Sequence, residues 1–231
     1  TCYGKSPLAR ASSEAIPNPE GRERSFAQTR SFAGMLVAVQ TLAALVVEDA
    51  APLEELRCLP DMADDVIQRA RPLAQRIGAD ETIKRITYLG SGPLYGLASE
   101  ATVKMKEMSL SLAEPYRFME FRHGPMALVD QEHLAVALLS DTMRDYELGV
   151  LRDLQARGCR IVALAADDQG PDPGWDGVLT LGVEVSERAR PGLYLPFLQL
   201  IAYYRAMGRG LNPDRPRNVV MAIRLDGAEM R

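Results

Sequence analysis

The sequence predicts an α/β fold, a parallel sheet with helices on both faces. Two observations carry this. From Ile83 onward, apolar runs of strand length alternate with helix-length amphipathic stretches. That repeated strand–helix order is what a parallel sheet covered on both faces produces. The 231 residues, 47% hydrophobic and 25% charged, are also enough to bury a substantial core.

Taken in order, residues 1–30 are rich in Pro, Gly, Ser and Arg and read as loop, with one short strand near Ala15–Ile16. The segment Arg22–Arg30 leads into a helix over Ser31–Val47, capped by Thr29 or Ser31. Phe32, Leu36, Val39, Ala43 and Val46 recur at helical spacing, and Met35, Leu42 and Leu45 widen the stripe. An apolar surface that wide predicts a helix buried on most sides. A second amphipathic helix spans Asp61–Ile77, where Pro72 should split it and mark a domain seam. Strand Ile86–Leu89 then precedes a helix over Pro93–Leu112, and strand His133–Leu139 precedes a helix over Met143–Arg157. Strand Arg160–Ala165 leads through the loop Asp167–Gly174 to a short strand, Gly177–Leu181. A long helix over Tyr194–Met207 stops at Gly208 and Gly210, and Val219–Leu225 reads as a last strand. There is no internal repeat.

Net charge of −4 and a pI near 5.4 leave none of the basic footprint that nucleic-acid binding requires. The longest apolar runs, such as Met35–Val47, fall short of the roughly 20 residues that span a bilayer. Three scattered cysteines without a CxxC pair, beside only His123 and His133, predict no Cys/His metal site, no cofactor and a reducing, cytoplasmic location. The opening Thr1-Cys2-Tyr3-Gly4 reads as a strand end entering a turn, so the chain is expected to continue a preceding element.

Chemistry concentrates between Gly90 and Asp130. Gly90-Ser91-Gly92 joins a strand to a helix N-terminus, where free N–H groups and the helix dipole can hold an anion. A tight turn selected for shape explains the same residues equally well. In the next helix Leu97, Ala101, Met105, Met108 and Leu112 form a core stripe. The opposite stripe is Glu100, Lys104, Glu107 and Ser111, placed for ion pairs at helical spacing. On spacing alone a solvated charged face is the commoner outcome. The alternative is that Glu107 faces a pocket and moves protons, which needs partial burial. His123, in a turn set by Gly124 and Pro125, can shuttle a proton near neutral pH or simply cap the turn. His133, beside Glu132 at a strand start, reads as structural.

The run from Gly90 to Asp130 resembles the second sugar isomerase (SIS) domain of the double-SIS phosphosugar enzymes, such as glucosamine-6-phosphate synthases and fructosamine-6-phosphate deglycases. Lys104-x-Lys106-Glu107, Ala113-Glu114 and Arg122-His123-Gly124-Pro125 carry the likeness. Phe26–Phe32 is similar to the linker between the two SIS domains, and Asp214–Asn218 to the family's C-terminal loop. The resemblance implies a SIS-type, flavodoxin-like three-layer sandwich in two units, the first incomplete. Residues 1–70 would be the remainder of the first unit with linker helices, 76–216 the second, and 217–231 a tail. The family's phosphate-gripping Ser-rich loop would then lie upstream of Thr1. Glu107 takes the role of the base between C1 and C2 of an open-chain sugar phosphate, and His123, reaching in from a neighbouring subunit, that of ring opening. Ala27 and Gln28 fall on substrate-contacting positions. The partners implied are a phosphorylated sugar or amino sugar and a second copy in a homodimer. Met221 stands where glucosamine-forming members have an imine-forming lysine, and Arg224 is no substitute, since its guanidinium stays protonated. The resemblance therefore implies aldose–ketose isomerisation or deglycation/deamination, with a catalytically silent regulatory module as the alternative.

Overall fold

The computed structural model describes residues 1–220 except 49, 169–171, 173 and 183. Five strands, β1 (Arg85–Gly90), β2 (Leu112–Tyr116), β3 (His133–Leu138), β4 (Arg160–Ala165) and β5 (Gly177–Thr180), form one sheet in the order β2-β1-β3-β4-β5. Every neighbouring pair is parallel. The helices are α1 (Pro7–Ala11), α2 (Arg30–Val46), α3 (Ala51–Gly78), α4 (Pro93–Ser109), α5 (Phe118–Arg122), α6 (Arg144–Gln155) and α7 (Pro191–Gly208).

Successive strand residues point to opposite faces, and here both faces are covered. Leu134, Val136 and Leu138 of β3 pack with Ile86 and Tyr88 of β1 under α3, α4 and α7. Ala135 and Ala137, with Ile161 and Ala163 of β4, pack instead against Phe118 and Phe121 of α5 and Leu148, Leu151 and Leu154 of α6. All six residues of β3 are buried, which is why this strand reads as a continuous apolar run. The strand order reverses between β1 and β3, and such a switch point opens a crevice at the C-terminal ends of the strands.

Several expectations are corrected. No strand forms at Ala15–Ile16; that region carries α1 and a single 3₁₀ turn at Pro19–Gly21. Pro72 does not split its helix, because α3 runs unbroken for 28 residues through Pro60 and Pro72. Both prolines lie on the exposed side, where the lost hydrogen bond and the freed carbonyl meet water rather than the core. The predicted helix over Pro93–Leu112 ends at Ser109, where Leu110 turns into the left-handed region at φ 54°. Leu112–Tyr116 is then an edge strand: Leu112 is 73% exposed rather than core, and Pro115 fits an edge that needs no N–H there.

α2 is not buried on most sides. Phe32, Ala33 and Leu36 pack on the core, while Val39, Leu42, Leu45 and Val46 stay exposed. Neither Thr29 nor Ser31 caps it by side chain. The Glu23 carboxylate does so, accepting from the Thr29 and Ser31 N–H groups at 2.7 and 2.8 Å. Val219 and Val220 carry no regular structure, and the rest of the expected last strand, with Met221 and Arg224, lies outside the described residues.

Candidate functional site

The polar stripe of α4 is buried. Lys104 keeps only 4% of its side chain exposed, Glu100 11% and Glu107 28%. A buried ammonium costs several kcal/mol unless it is paired. Lys104 Nζ donates to Glu107 Oε2 at 2.6 Å and lies 3.8 Å from Glu100 Oε1. Spacings of four and three residues put these groups on one helix face, so the row follows from the local sequence. Two carboxylates share one ammonium, and the excess negative charge favours holding a proton. Burial pushes the Glu100 carboxyl up to about 7; the Lys104 charge opposes the rise and the Glu107 charge adds to it. The sealed Glu100 Oε1 has no hydrogen-bond partner among the described residues. Glu100 is the more buried end of the row and Glu107 its more exposed end.

The helix end that carries Glu107 is fixed from outside α4. Arg209 Nη1 donates to the Ser109 carbonyl at 3.0 Å and the Leu110 carbonyl at 3.4 Å, satisfying carbonyls that the helix end leaves open. Arg205, 3% exposed, donates to the Asp80 and Ile83 carbonyls and to Ser111 Oγ. Ser111, the last member of the stripe, therefore serves anchoring rather than chemistry.

Met108, the residue after Glu107, lines two clefts. One, of about 310 Å³, is bounded by Ser25, Ala27 and Thr29 of the linker and by Pro213 and Asp214. The other, of about 250 Å³, is bounded by Asn212, Arg215 and Arg217. Linker and C-terminal loop are tied together: the Phe26 N–H donates to the Asp214 carbonyl at 3.0 Å, and Ser25 Oγ donates to the Pro213 and Asp214 carbonyls. Ala27 is buried at this junction and Gln28 is exposed beside it. Arg215 and Arg217 are exposed and give the second cleft a positive rim.

His123 stands apart from this row. It caps the C-terminal end of α5, its N–H donating to the Glu120 carbonyl, and it is exposed. Among the described residues it makes no hydrogen bond or ion pair with Glu107. The Arg122–Asp153 ion pair at 2.7 Å holds the end of α5 against α6. His133 is structural: it is buried, shares a 2.7 Å hydrogen bond with Thr87 Oγ1, and burial lowers its pKa. The sequence places Glu100 and Lys104 on the same stripe as Glu107 without singling them out. Arg205 and Arg209 left no local signal, since their partners lie about 100 residues away.

A parallel, doubly wound α/β domain with a largely buried carboxyl–ammonium–carboxylate row on one helix defines the class of the chain. The chain matches the SIS domain family model over residues 82–171. It is 30% identical over 223 residues to the isomerizing glutamine–fructose-6-phosphate aminotransferase of Sulfurisphaera tokodaii, covering 96% of this chain and 36% of that protein. The chain thus spans about a third of the length of the curated relatives it matches, and it is homologous to their isomerase part. The C-terminal domain of glucosamine-fructose-6-phosphate aminotransferase from Francisella tularensis superposes with a TM-score of 0.79 at 25% identity, over 92% of this chain and 62% of that one. The tagatose-6-phosphate ketose/aldose isomerase of Escherichia coli shares the fold, with a TM-score of 0.77 at 24% identity over 95% and 62% of the two chains.

Proposed function

We propose that this chain provides the proton-transfer part of an enzyme acting on a phosphorylated sugar or amino sugar, by aldose–ketose isomerisation or by deglycation/deamination. The observation that carries this reading is the largely buried Glu100–Lys104–Glu107 row on α4. In an open-chain aldose phosphate, Glu107 removes the C2 proton and returns it to C1. Lys104 orients the Glu107 carboxyl, which carries the proton between the two steps, and Glu100 buffers the charge behind it. Ala27 and Gln28 line the substrate path, and the Arg215 and Arg217 rim attracts an anionic substrate.

The homodimer belongs to the same reading. His123 is exposed and makes no hydrogen bond with Glu107 within one copy among the described residues, and a second copy would supply it for ring opening. The exposed apolar side of α2 offers surface for such a partner. Residues 1–70 serve as the remainder of a first SIS unit, 76–216 as the second and 217–231 as the tail. A cytoplasmic setting is supported by three free thiols, Cys2, Cys58 and Cys159. Among the described residues no helix is long and apolar enough to cross a membrane. The second reading, a silent regulatory module, is favoured by Met221, which replaces the family's lysine.

The test is proton exchange. Hexose and hexosamine 6-phosphates are incubated with the protein in D₂O, and deuterium entry at C1 and C2 is followed by NMR. Exchange with at least one sugar phosphate is expected. Saturable binding without exchange across the panel overturns the enzyme reading in favour of the silent module.

A further inference from the structure

The helix that carries Glu107 stops where its own sequence would let it continue. The core stripe Leu97, Ala101, Met105 and Met108 runs on in register to Leu112, yet α4 ends at Ser109 and Leu112 is left exposed on the edge strand β2. The residue that makes the stop is ill suited to it. Leu110 takes φ 54° and ψ 31°, a left-handed conformation that glycine adopts freely and leucine only at a cost in free energy. Groups outside α4 must hold this turn, and they come from the C-terminal end of α7. Arg205, in its last turn, and Arg209, its C-cap, stand four residues apart on one side of the helix. Arg205 is tied to the Asp80 and Ile83 carbonyls ahead of β1 and donates to Ser111 Oγ at 3.4 Å. Arg209 Nη1 donates to the Ser109 carbonyl at 3.0 Å and the Leu110 carbonyl at 3.4 Å.

We propose that Arg209 is a positioning residue for the proton transfer assigned to Glu107. By holding Leu110 in the left-handed turn, it fixes where the last turn of α4 ends and so where the Glu107 carboxyl sits. The inference rests on that reading of Glu107 and adds to it a group that acts only through the helix end. Glu107 lies inside the turn that Arg209 closes. The Leu110 N–H donates to the Lys106 carbonyl at 3.0 Å, and Lys104 Nζ, one turn back, holds Glu107 Oε2 at 2.6 Å. Ser109 Oγ donates to the Met105 carbonyl at 2.6 Å and lies 2.9 Å from Ser111 Oγ, so the turn is bonded on both sides of Leu110. If the Arg209 donors were lost, the Ser109 and Leu110 carbonyls would lose their side-chain partner, and Leu110 could return to the helical region that its stripe already favours. Arg209 is also followed directly by Gly210, whose φ of 64° turns the chain into the loop that carries Arg215 and Arg217. The end of α4 and the start of that loop therefore share one anchor.

The test compares the natural full chain with Arg209→Met, which keeps the stem and loses every donor, and with Arg209→Lys, which keeps the charge and a donor. Arg209 is exposed, so both variants are expected to fold. Two readouts need no turnover: the Leu110 Cα and Cβ shifts, which report its backbone conformation, and the ¹³C shift of the Glu107 carboxyl. In Arg209→Met both are expected to move. Deuterium exchange on the most reactive hexose or hexosamine 6-phosphate is expected to lose about 10–100-fold in kcat with KM little changed, the cost of a misplaced reacting group. Arg209→Lys is expected to keep the Leu110 shifts and to recover most of the rate. A folded Met variant with natural Leu110 and Glu107 shifts overturns the proposal. So does a moved Leu110 with unchanged exchange, and so does a loss carried by KM alone, which would make Arg209 a charge on the substrate path. If the natural protein exchanges no sugar phosphate, the chemistry assigned to Glu107 fails on its own, and the two shifts alone decide whether Arg209 places that side chain. If Arg209→Met does not fold, Arg209→Gln, with its shorter side chain, replaces it under the same criteria.

Discussion

Glu107→Gln is expected to slow sugar-phosphate proton exchange by about 10²–10⁴-fold, the usual contribution of a positioned general base. The amide keeps the shape of the side chain and can still accept from Lys104, so the fold should survive, with little change in unfolding midpoint. The variant also removes a negative charge that helps raise the Glu100 pKa, so Glu100 should titrate lower than in the natural protein. A loss of exchange together with unfolding would place Glu107 in the scaffold rather than in the chemistry. Retention of full exchange would remove it from both.

Lys104→Met should give the second large effect, this time on stability. Methionine fills similar space but leaves Glu100 and Glu107 on one buried helix face without their shared cation. Removing one partner of a buried ion pair costs about 3–5 kcal/mol, much of it from the uncompensated charge left behind. The partial exposure of Glu107 places the expectation at the lower end, about 3 kcal/mol, read from urea unfolding. The double variant Lys104→Met/Glu107→Gln should recover part of that loss, because the stranded Glu107 carboxylate is gone. A Lys104→Met protein as stable as the natural one would mean that the ammonium is not the group neutralising the row.

The sheet was legible because strands buried on both faces are written as apolar runs: β1, β3, β4 and β5 each lie within a residue of where the sequence places them. β2 was hidden because Leu112 continues the helical stripe of α4 in register. Only the left-handed turn at Leu110, held by Arg209 from the far end of the chain, breaks the helix. The α4 row was half legible. Its spacing is local and visible, but its burial comes from packing across the fold, which spacing does not encode. The exposed side of α2 was misread for the converse reason: an apolar stripe announces that something should cover it, not that this chain alone does so.

The central claim is that the α4 row stores a proton near neutral pH. Folded Glu100 keeps its proton up to about pH 7, whereas the unfolded chain gives it up near 4.5, so between those values the folded state binds more protons. The stability that Glu100 contributes is therefore complete below about pH 4.5 and is lost as the pH rises through 7, by up to ~3 kcal/mol. The most direct measurement is a pH titration of ¹³C-labelled glutamate carboxyls by NMR, with Glu100→Gln used to assign the resonance. The account predicts a Glu100 carboxyl that titrates near 7. A Glu100 carboxyl that titrates at the ordinary value near 4.5 would contradict it.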